Sequence, residues 1–364
     1  MNSKPLPSRP AADGFHMPGE YAAQQAVLMA WPQRPDNWRE GARPAQAAFA
    51  AVAAAILPAT PVHMCVADAD YDAARDAMPA GVTLLRIPSD DCWMRDIGPS
   101  YVINGAGELR GVDWQFNAWG GEVDGLYPDW RQDDALASQL LDLRGEQRYR
   151  APLVMEGGAL HVDGEGTCFT TEECLLHPGR NPQLDRAAIE QLVSDYLGVS
   201  RVIWLPRGVY NDETNGHVDN LMHVVRPGEV VLTWCDDPGD PMYAICREAM
   251  TVLEATPDAR GRKLRVHKLP LPGPLYISDE EAAGVAATAG MSRRAGERLA
   301  GSYANFLVTN SRVVFPLLDA RHDQEAHRIL AELFPEREVV GVPGREILLG
   351  GGNIHCITQQ IPLA

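Results

Sequence analysis

The sequence predicts an α/β chain assembled from about five copies of one module, a β-hairpin followed by a helix. A hairpin signature recurs four times along the chain, and amphipathic helical stretches lie between the recurrences. The hairpins begin roughly 60, 60 and 85 residues apart, which is the length of a supersecondary unit. A unit of that size cannot bury a sheet alone. Such units are stable side by side, as the blades of a closed ring are.

The series opens with AVLMAWP (26–32), a short apolar strand. AAFAAVAAAILP (47–58) is shorter than the ~20 residues that span a bilayer, and reads as a buried alanine-rich helix stopped by Pro58. SYVINGAGELRGVDW (100–114) reads as strand, glycine-containing turn, strand. ALHVDGEGTCFTT (159–171) and NLMHVVRPGEVVLTW (220–234) repeat that pattern, and NFLVTNSRVVFPLL (305–318) repeats it with an Asn-Ser turn. LDRAAIEQLVSDYLG (184–198) places apolar residues at 188, 189, 192, 193 and 197, a helical stripe ended by Gly198. YAICREAMTVLEA (243–255) and DQEAHRILAELF (323–334) behave alike, and GGGNIHCITQQIP (350–362) supplies a last strand. Residues 1–13 hold three prolines and no apolar periodicity; they are expected to form a flexible tail ahead of a single domain, 14–364.

The balance of 32 Lys+Arg against 49 Asp+Glu gives a net charge of −17. That argues against nucleic acid or a membrane surface as partner, both of which need clustered basic charge. It suits a small cationic substrate. Seven cysteines without a C-x-x-C describe neither a disulfide framework nor a zinc knuckle. Residues 1–14 lack the apolar stretch of a signal peptide, so a reducing cytoplasm is expected.

What stands before each hairpin carries the chemistry. Asp96 lies in WMRDIGP, Glu156 in MEGGAL, His217 and Asp219 in TNGHVDN, and Cys356 in GGGNIHC. Polar, reactive side chains thus occupy equivalent ends of the modules, each near glycine, and in a radial arrangement equivalent ends converge. His217 and Asp219, two apart, are expected on one face of a strand. Each residue also has an ordinary alternative: an ion pair with Arg95 for Asp96, a turn for Glu156, a structural hydrogen bond for His217 and a buried small apolar role for Cys356. Jointly these alternatives weaken.

Other chemistries find no motif. H-E-x-x-H and G-x-S-x-G are absent, and no Gly-Lys dipeptide exists to form a P-loop. GAGELRG (105–111) sits in a hairpin turn with the wrong glycine spacing for a dinucleotide. Lysine occurs only at 4, 263 and 268, which leaves little for Schiff-base chemistry. A nucleophilic Cys with a His base remains. Those two alone would suit a thiol protease, but the added carboxylates change the substrate. A planar guanidinium offers five donors in a fork that matches paired carboxylates. Held by Asp96 and Asp219, it would present its central carbon to Cys356 and favour the thiolate over a thiol of pKa about 8.5.

WMRDIGPSYV, EGGALHVDGEGTCFTTEECLL, NGHVDN and GGGNIHCITQQIP resemble the agmatine deiminases, bacterial peptidylarginine-deiminase-like members of the guanidino-group-modifying superfamily. The resemblance runs from MPGEYAAQQAVLMAWP to the C-terminal Ile-Pro. It implies the pentein fold, a five-bladed α/β propeller with pseudo-fivefold ββαβ repeats. It implies hydrolysis of agmatine to N-carbamoylputrescine and ammonia, with Cys356 as the nucleophile of an amidino-cysteine intermediate and His217 as general acid and base. Asp96 and Asp219 become the guanidinium clamp, and Glu156 the carboxylate that orients His217. No metal or organic cofactor is implied, and a homo-oligomer is expected. Trp93 is a candidate wall for the aliphatic chain. Glu213 or Asp212 is a candidate partner for the distal ammonium, with a solvated loop acid as the alternative. Asn215 stands where some relatives carry Asp. Peptidyl-arginine or free arginine stays open as substrate. A non-catalytic binding protein of this fold would lack the Cys or His and show a basic face.

Overall fold

The computed structural model describes residues 4–286 and 293–364. Its strands fall into five separate sheets of one design. The second sheet shows it plainly. β4 (Ser100–Ile103) and β5 (Leu109–Gln115) form an antiparallel hairpin, helix α2 (Arg131–Arg144) crosses over, and β6 (Arg148–Val154) returns parallel to β5. The third sheet repeats this with β7 (His161–Val162), β8 (Thr167–Thr171), α3 (Arg186–Leu197) and β9 (Arg201–Leu205). The fourth uses β10 (Met222–Arg226), β11 (Glu229–Trp234), α4 (Met242–Ala255) and β12 (Arg265–Pro270). The fifth uses β13 (Leu307–Val308), β14 (Arg312–Leu317), α5 (Asp323–Leu333) and β15 (Glu338–Pro343).

The first sheet is made from both ends of the chain. β1 (Gln24–Ala30), α1 (Arg43–Ile56) and β2 (Val62–Val66) supply the strand, crossover helix and parallel return, with β3 (Thr83–Arg86) added at the edge. The missing hairpin partner is β16 (Gln359–Pro362), which pairs antiparallel with β1. Only four hairpins are contiguous in sequence because the fifth is split between the termini. The repeated ββαβ unit anticipated above is therefore present five times.

Middle strands such as β11 and β14 read as apolar runs, VVL and VVF, because both of their faces are covered. The crossover helices seal the outside; α5 turns Ala326, Leu330 and Leu333 inward while its other face stays polar.

Two local expectations are corrected. Of residues 1–13, expected to be a flexible tail, residues 4–13 belong to the described part and are pinned to the body. The Leu6 N–H donates to the Arg148 carbonyl at 2.8 Å, Leu6 packs on the apolar cluster around Phe15, and Arg9 pairs with Asp195. The segment makes these contacts through bends and a short helical turn, Ala11–Asp13, which carry no apolar periodicity. The last strand is shorter than 350–362: residues 350–358 form turns, and pairing begins at Gln359. Three successive glycines favour turns over a ladder.

A short helical turn precedes three hairpins at the same place: Met94–Ile97 before β4, Gly157–Ala159 before β7 and Val218–Leu221 before β10. Turns at 303–304 and 350–358 stand in the corresponding place before β13 and β16. These five mouths build the site.

Candidate active site

His217 caps the Val218–Leu221 turn rather than entering a strand, and Asp219 lies inside that turn. The strand expectation fails because Asn215 and Gly216, both at positive φ (62° and 78°), reverse the chain immediately before His217. The pairing itself holds. A Cβ placed on Gly158 would lie 2.6 Å from His217 Nδ1, 2.9 Å from Asp96 Oδ1 and 3.0 Å from Asp219 Oδ2. Three of the sequence candidates therefore converge on one point, and only glycine leaves it open. Cys356 closes the group, with Sγ 3.7 Å from Asp219 Oδ2. Gly352 leaves room beside Cys356 as Gly158 does beside the two aspartates: a Cβ there would meet Cys356 Sγ at 3.0 Å and the Trp93 ring at 2.6 Å.

Each member is fixed by a partner. Asp96 accepts from the Gly158 N–H through Oδ1 and from Trp119 Nε1–H through Oδ2, both at 2.9 Å. Glu156 has Oε1 2.7 Å from Arg180 Nε and Oε2 3.6 Å from His217 Nε2. Arg180 in turn donates to the Asn215 side-chain oxygen at 2.7 Å and to the Thr214 carbonyl at 2.8 Å. Asn215 thus supports the arginine that compensates Glu156, a role its amide oxygen fills. Asn305, from the mouth of the fifth module, accepts from the N–H groups of His355 and Cys356 through Oδ1. That fixes its amide so that Nδ2 faces the Cys356 sulfur at 3.0 Å.

Asp96, Glu156, Arg180, His217, Asp219 and Cys356 are all buried, so their charges depend on one another. Burial pushes the Asp96 carboxyl up to about 6; Asp219 and Glu156 add to this and His217 opposes it. Burial works against the charge on His217 too, yet Asp96, Cys174 and Glu156 hold its imidazole well above its usual range. Burial would raise Glu156 and Asp219, but Arg180 and His217 hold the first low, and His355 and His217 the second. The Cys356 thiol is pushed well above its ordinary value by burial and by Asp219 and Asp96. These directions favour a thiol at Cys356 and an imidazolium at His217.

Trp93 and Glu213 both line the pocket above Cys356, with Trp119 and Leu126 as further apolar wall. Glu213 is already engaged: Arg293 Nη2 donates to its Oε1 at 2.9 Å and to Asn37 Oδ1 at 2.6 Å. Asp212 turns inward, accepting from Thr214 and Asn220. The sequence reading brought together Asp96, Glu156, His217, Asp219 and Cys356 but missed Trp119, Arg180, Asn305 and Cys174, which lies beside the His217 ring. Among the described residues, two buried groups bring three metal-ligand donors within 4.8 Å of one another: Glu156, Cys174 and His217, and His161, His223 and His355. A guanidinium stands against each, Arg180 on Glu156 and Arg95 on Glu20 beside His355. A divalent cation would meet that charge in either place, so neither group fits a metal well.

Five ββαβ units meeting around a cysteine, a histidine and clustered carboxylates define a pentein-fold protein. Within that class, the chain belongs to the Porphyromonas-type peptidyl-arginine deiminase family, whose model matches residues 16–362. It is 58% identical over 360 residues to a Photobacterium profundum protein named "Putative agmatine deiminase", covering 99% of both chains. A Shewanella frigidimarina protein of the same name is 59% identical over 362 residues, covering 100% of this chain and 98% of the other. The structure superposes on the agmatine deiminase of Enterococcus faecalis with a TM-score of 0.97 at 45% identity, over 99% of this chain and 100% of that one.

Proposed function

We propose that this protein is an agmatine deiminase, a hydrolase that converts agmatine and water to N-carbamoylputrescine and ammonia. The observation that carries the reading is the convergence of Asp96, Asp219 and His217 on the space over Gly158, with the Cys356 sulfur 3.7 Å from Asp219. A guanidinium in that space adds positive charge between the carboxylates. It pairs with Asp96 and Asp219, and its charge offsets the negative field that keeps the thiol protonated, so the thiol gives its proton up to solvent. The thiolate then attacks the guanidinium carbon. His217, held as imidazolium, protonates the departing nitrogen, and ammonia leaves an amidino-cysteine cation on Cys356. The neutral His217 next takes a proton from water, and the hydroxide adds to the same carbon. Collapse expels the thiolate, which regains a proton from solvent, and leaves the ureido product; the proton shed by its new carbonyl passes to solvent, where it balances the earlier ammonia as ammonium.

Glu156 orients His217, with Arg180 neutralising its far side. Trp93 walls the methylene chain, and Glu213 is the candidate partner for the distal ammonium, which would displace Arg293. No helix among the described residues is long and apolar enough to cross a membrane. We read the enzyme as cytoplasmic and homo-oligomeric, serving putrescine formation from arginine-derived agmatine.

The test is ammonia release with agmatine, arginine and a peptidyl-arginine side by side. Release from agmatine alone is expected. Release only from arginine or the peptide would keep the guanidine chemistry and overturn the substrate. Silence with all three would overturn the enzyme.

A further inference from the structure

His355 is the chain neighbour of the proposed nucleophile, yet its ring is absent from the pocket lining and sits between two carboxylates. Nδ1 lies 2.7 Å from Asp219 Oδ2 and Nε2 lies 2.8 Å from Glu20 Oε2. A neutral imidazole has one N–H. In this position it would set a nitrogen lone pair against one of the two carboxylate oxygens. The imidazolium donates to both, and the two carboxylates raise its pKa above the usual range although burial and the nearby Arg95 guanidinium oppose that.

Glu20 is itself anchored. Its Oε1 accepts from the Val308 N–H at 2.8 Å, and Oε2 lies 3.2 Å from Arg95 Nη2. Arg95 also donates to Gln360 at 2.8 Å and, through Nε, to the His355 carbonyl at 3.3 Å. The other titratable groups facing the ring are His161 and His223, with centroids at 5.0 and 5.2 Å. Burial holds both of those below their usual range, so they add no charge.

The chain of contacts ends at the clamp. Asp219 Oδ2 is occupied by His355, whereas Oδ1 is buried without a partner. His355 thereby fixes the carboxylate with Oδ2, the oxygen that reaches the space over Gly158, turned toward the substrate. Oδ2 is also the oxygen 3.7 Å from the Cys356 sulfur, where an uncompensated negative charge would oppose the thiolate. We infer that Glu20, His355 and Asp219 act as one buried unit, in which the His355 imidazolium orients Asp219 for the substrate and offsets its charge beside Cys356. His355 and Glu20 are then positioning residues, neither touching substrate, and the inference rests on the reading of Cys356 and Asp219 given above.

Three readouts test it. The first needs no substrate: the pH midpoint for alkylation of Cys356 by iodoacetamide, followed by mass spectrometry of its peptide. His355→Ala should raise that midpoint by about one pH unit or more, and Glu20→Gln should move it in the same direction. The second is kinetic. His355→Ala should raise the KM for agmatine at least tenfold. His355→Asn, which keeps an N–H donor toward Asp219 but no charge, should recover much of the KM and none of the midpoint. Folded His355→Ala with the parent KM and midpoint would overturn the inference, since a merely structural histidine would lower stability and leave both unmoved. The third survives misfolding of the His355 variants. In ¹⁵N-histidine spectra titrated from pH 6 to 9, the His217→Asn variant should show one ring that stays protonated on both nitrogens above the range in which an ordinary histidine loses its proton, and finding none would overturn the inference. If the unaltered enzyme fails to turn over agmatine, the proposed function falls, while the alkylation and nitrogen readouts still decide this unit.

Discussion

Asp96 is the residue where a change of pH and a change of side chain should act alike. Its carboxyl is pushed up to about 6, chiefly by burial, and a guanidinium needs the ionised form as acceptor. With a midpoint near 6, roughly one-tenth of the carboxyl is ionised at pH 5 and nearly all of it at pH 8, so agmatine affinity should fall about tenfold toward pH 5. The sign follows from a raised carboxylate: binding is complete above the midpoint and lost as pH falls through it. Agmatine does not confuse the measurement, because guanidinium and primary ammonium groups stay charged across this range. Asp96→Asn removes the charge at every pH. Loss of a charge-assisted hydrogen bond costs about 1.5–3 kcal/mol, roughly 10- to 150-fold in affinity. The upper end is expected, because both Asp96 oxygens now accept N–H groups, from Gly158 and Trp119, and an amide must turn an N–H against one of them. The assay is titration calorimetry with agmatine from pH 5 to 8.5 in a Cys356→Ala background. Affinity should decline below pH 6 in that parent and be weak and flat when Asp96→Asn is added. A flat parent profile, or unchanged affinity in the double variant, would refute the clamp.

Cys356→Ala should abolish ammonia release while agmatine still binds, which calorimetry on the same sample checks. Gly158→Ala should fold yet lose at least about 100-fold in kcat/KM, because its methyl would occupy the point where His217, Asp96 and Asp219 converge. Arg180→Met leaves the buried Glu156 uncompensated and should cost about 3–5 kcal/mol of stability by urea unfolding at pH 8. The loss should shrink as pH falls, since Glu156 without its arginine can then be protonated. A pH-independent loss would assign Arg180 a packing role instead.

The hairpins were legible because their strands are apolar runs joined by glycine or asparagine turns, a local signal. The parallel return strands were not read from the residues. RYRAPLV and RVHKLP mix charge into edge positions, and nothing in such a segment names its partner. Helix α2 escaped because RQDDALASQLLDLR is largely polar and buries little beyond Leu136, Leu140 and Leu141. The site's inner ring stood out as polar residues beside glycine. Its supports did not, because each is distant in the chain: Trp119 lies 23 residues from Asp96, and Glu20 lies 335 from His355. His355 was in plain view inside GGGNIHC, but adjacency to the cysteine says nothing of which way its ring points. His217 and Asp219 show the opposite case, a correct pairing inferred from the wrong local geometry.

The central claim is that the guanidinium carbon is transferred to Cys356. Acid-quenching the enzyme during turnover of agmatine, followed by peptide mass spectrometry, tests it most directly. An amidino adduct on the peptide containing Cys356, absent from the Cys356→Ala variant, is the result expected. Ammonia formed with the adduct on another cysteine such as Cys174, or with no adduct under conditions that trap the intermediate, would contradict it.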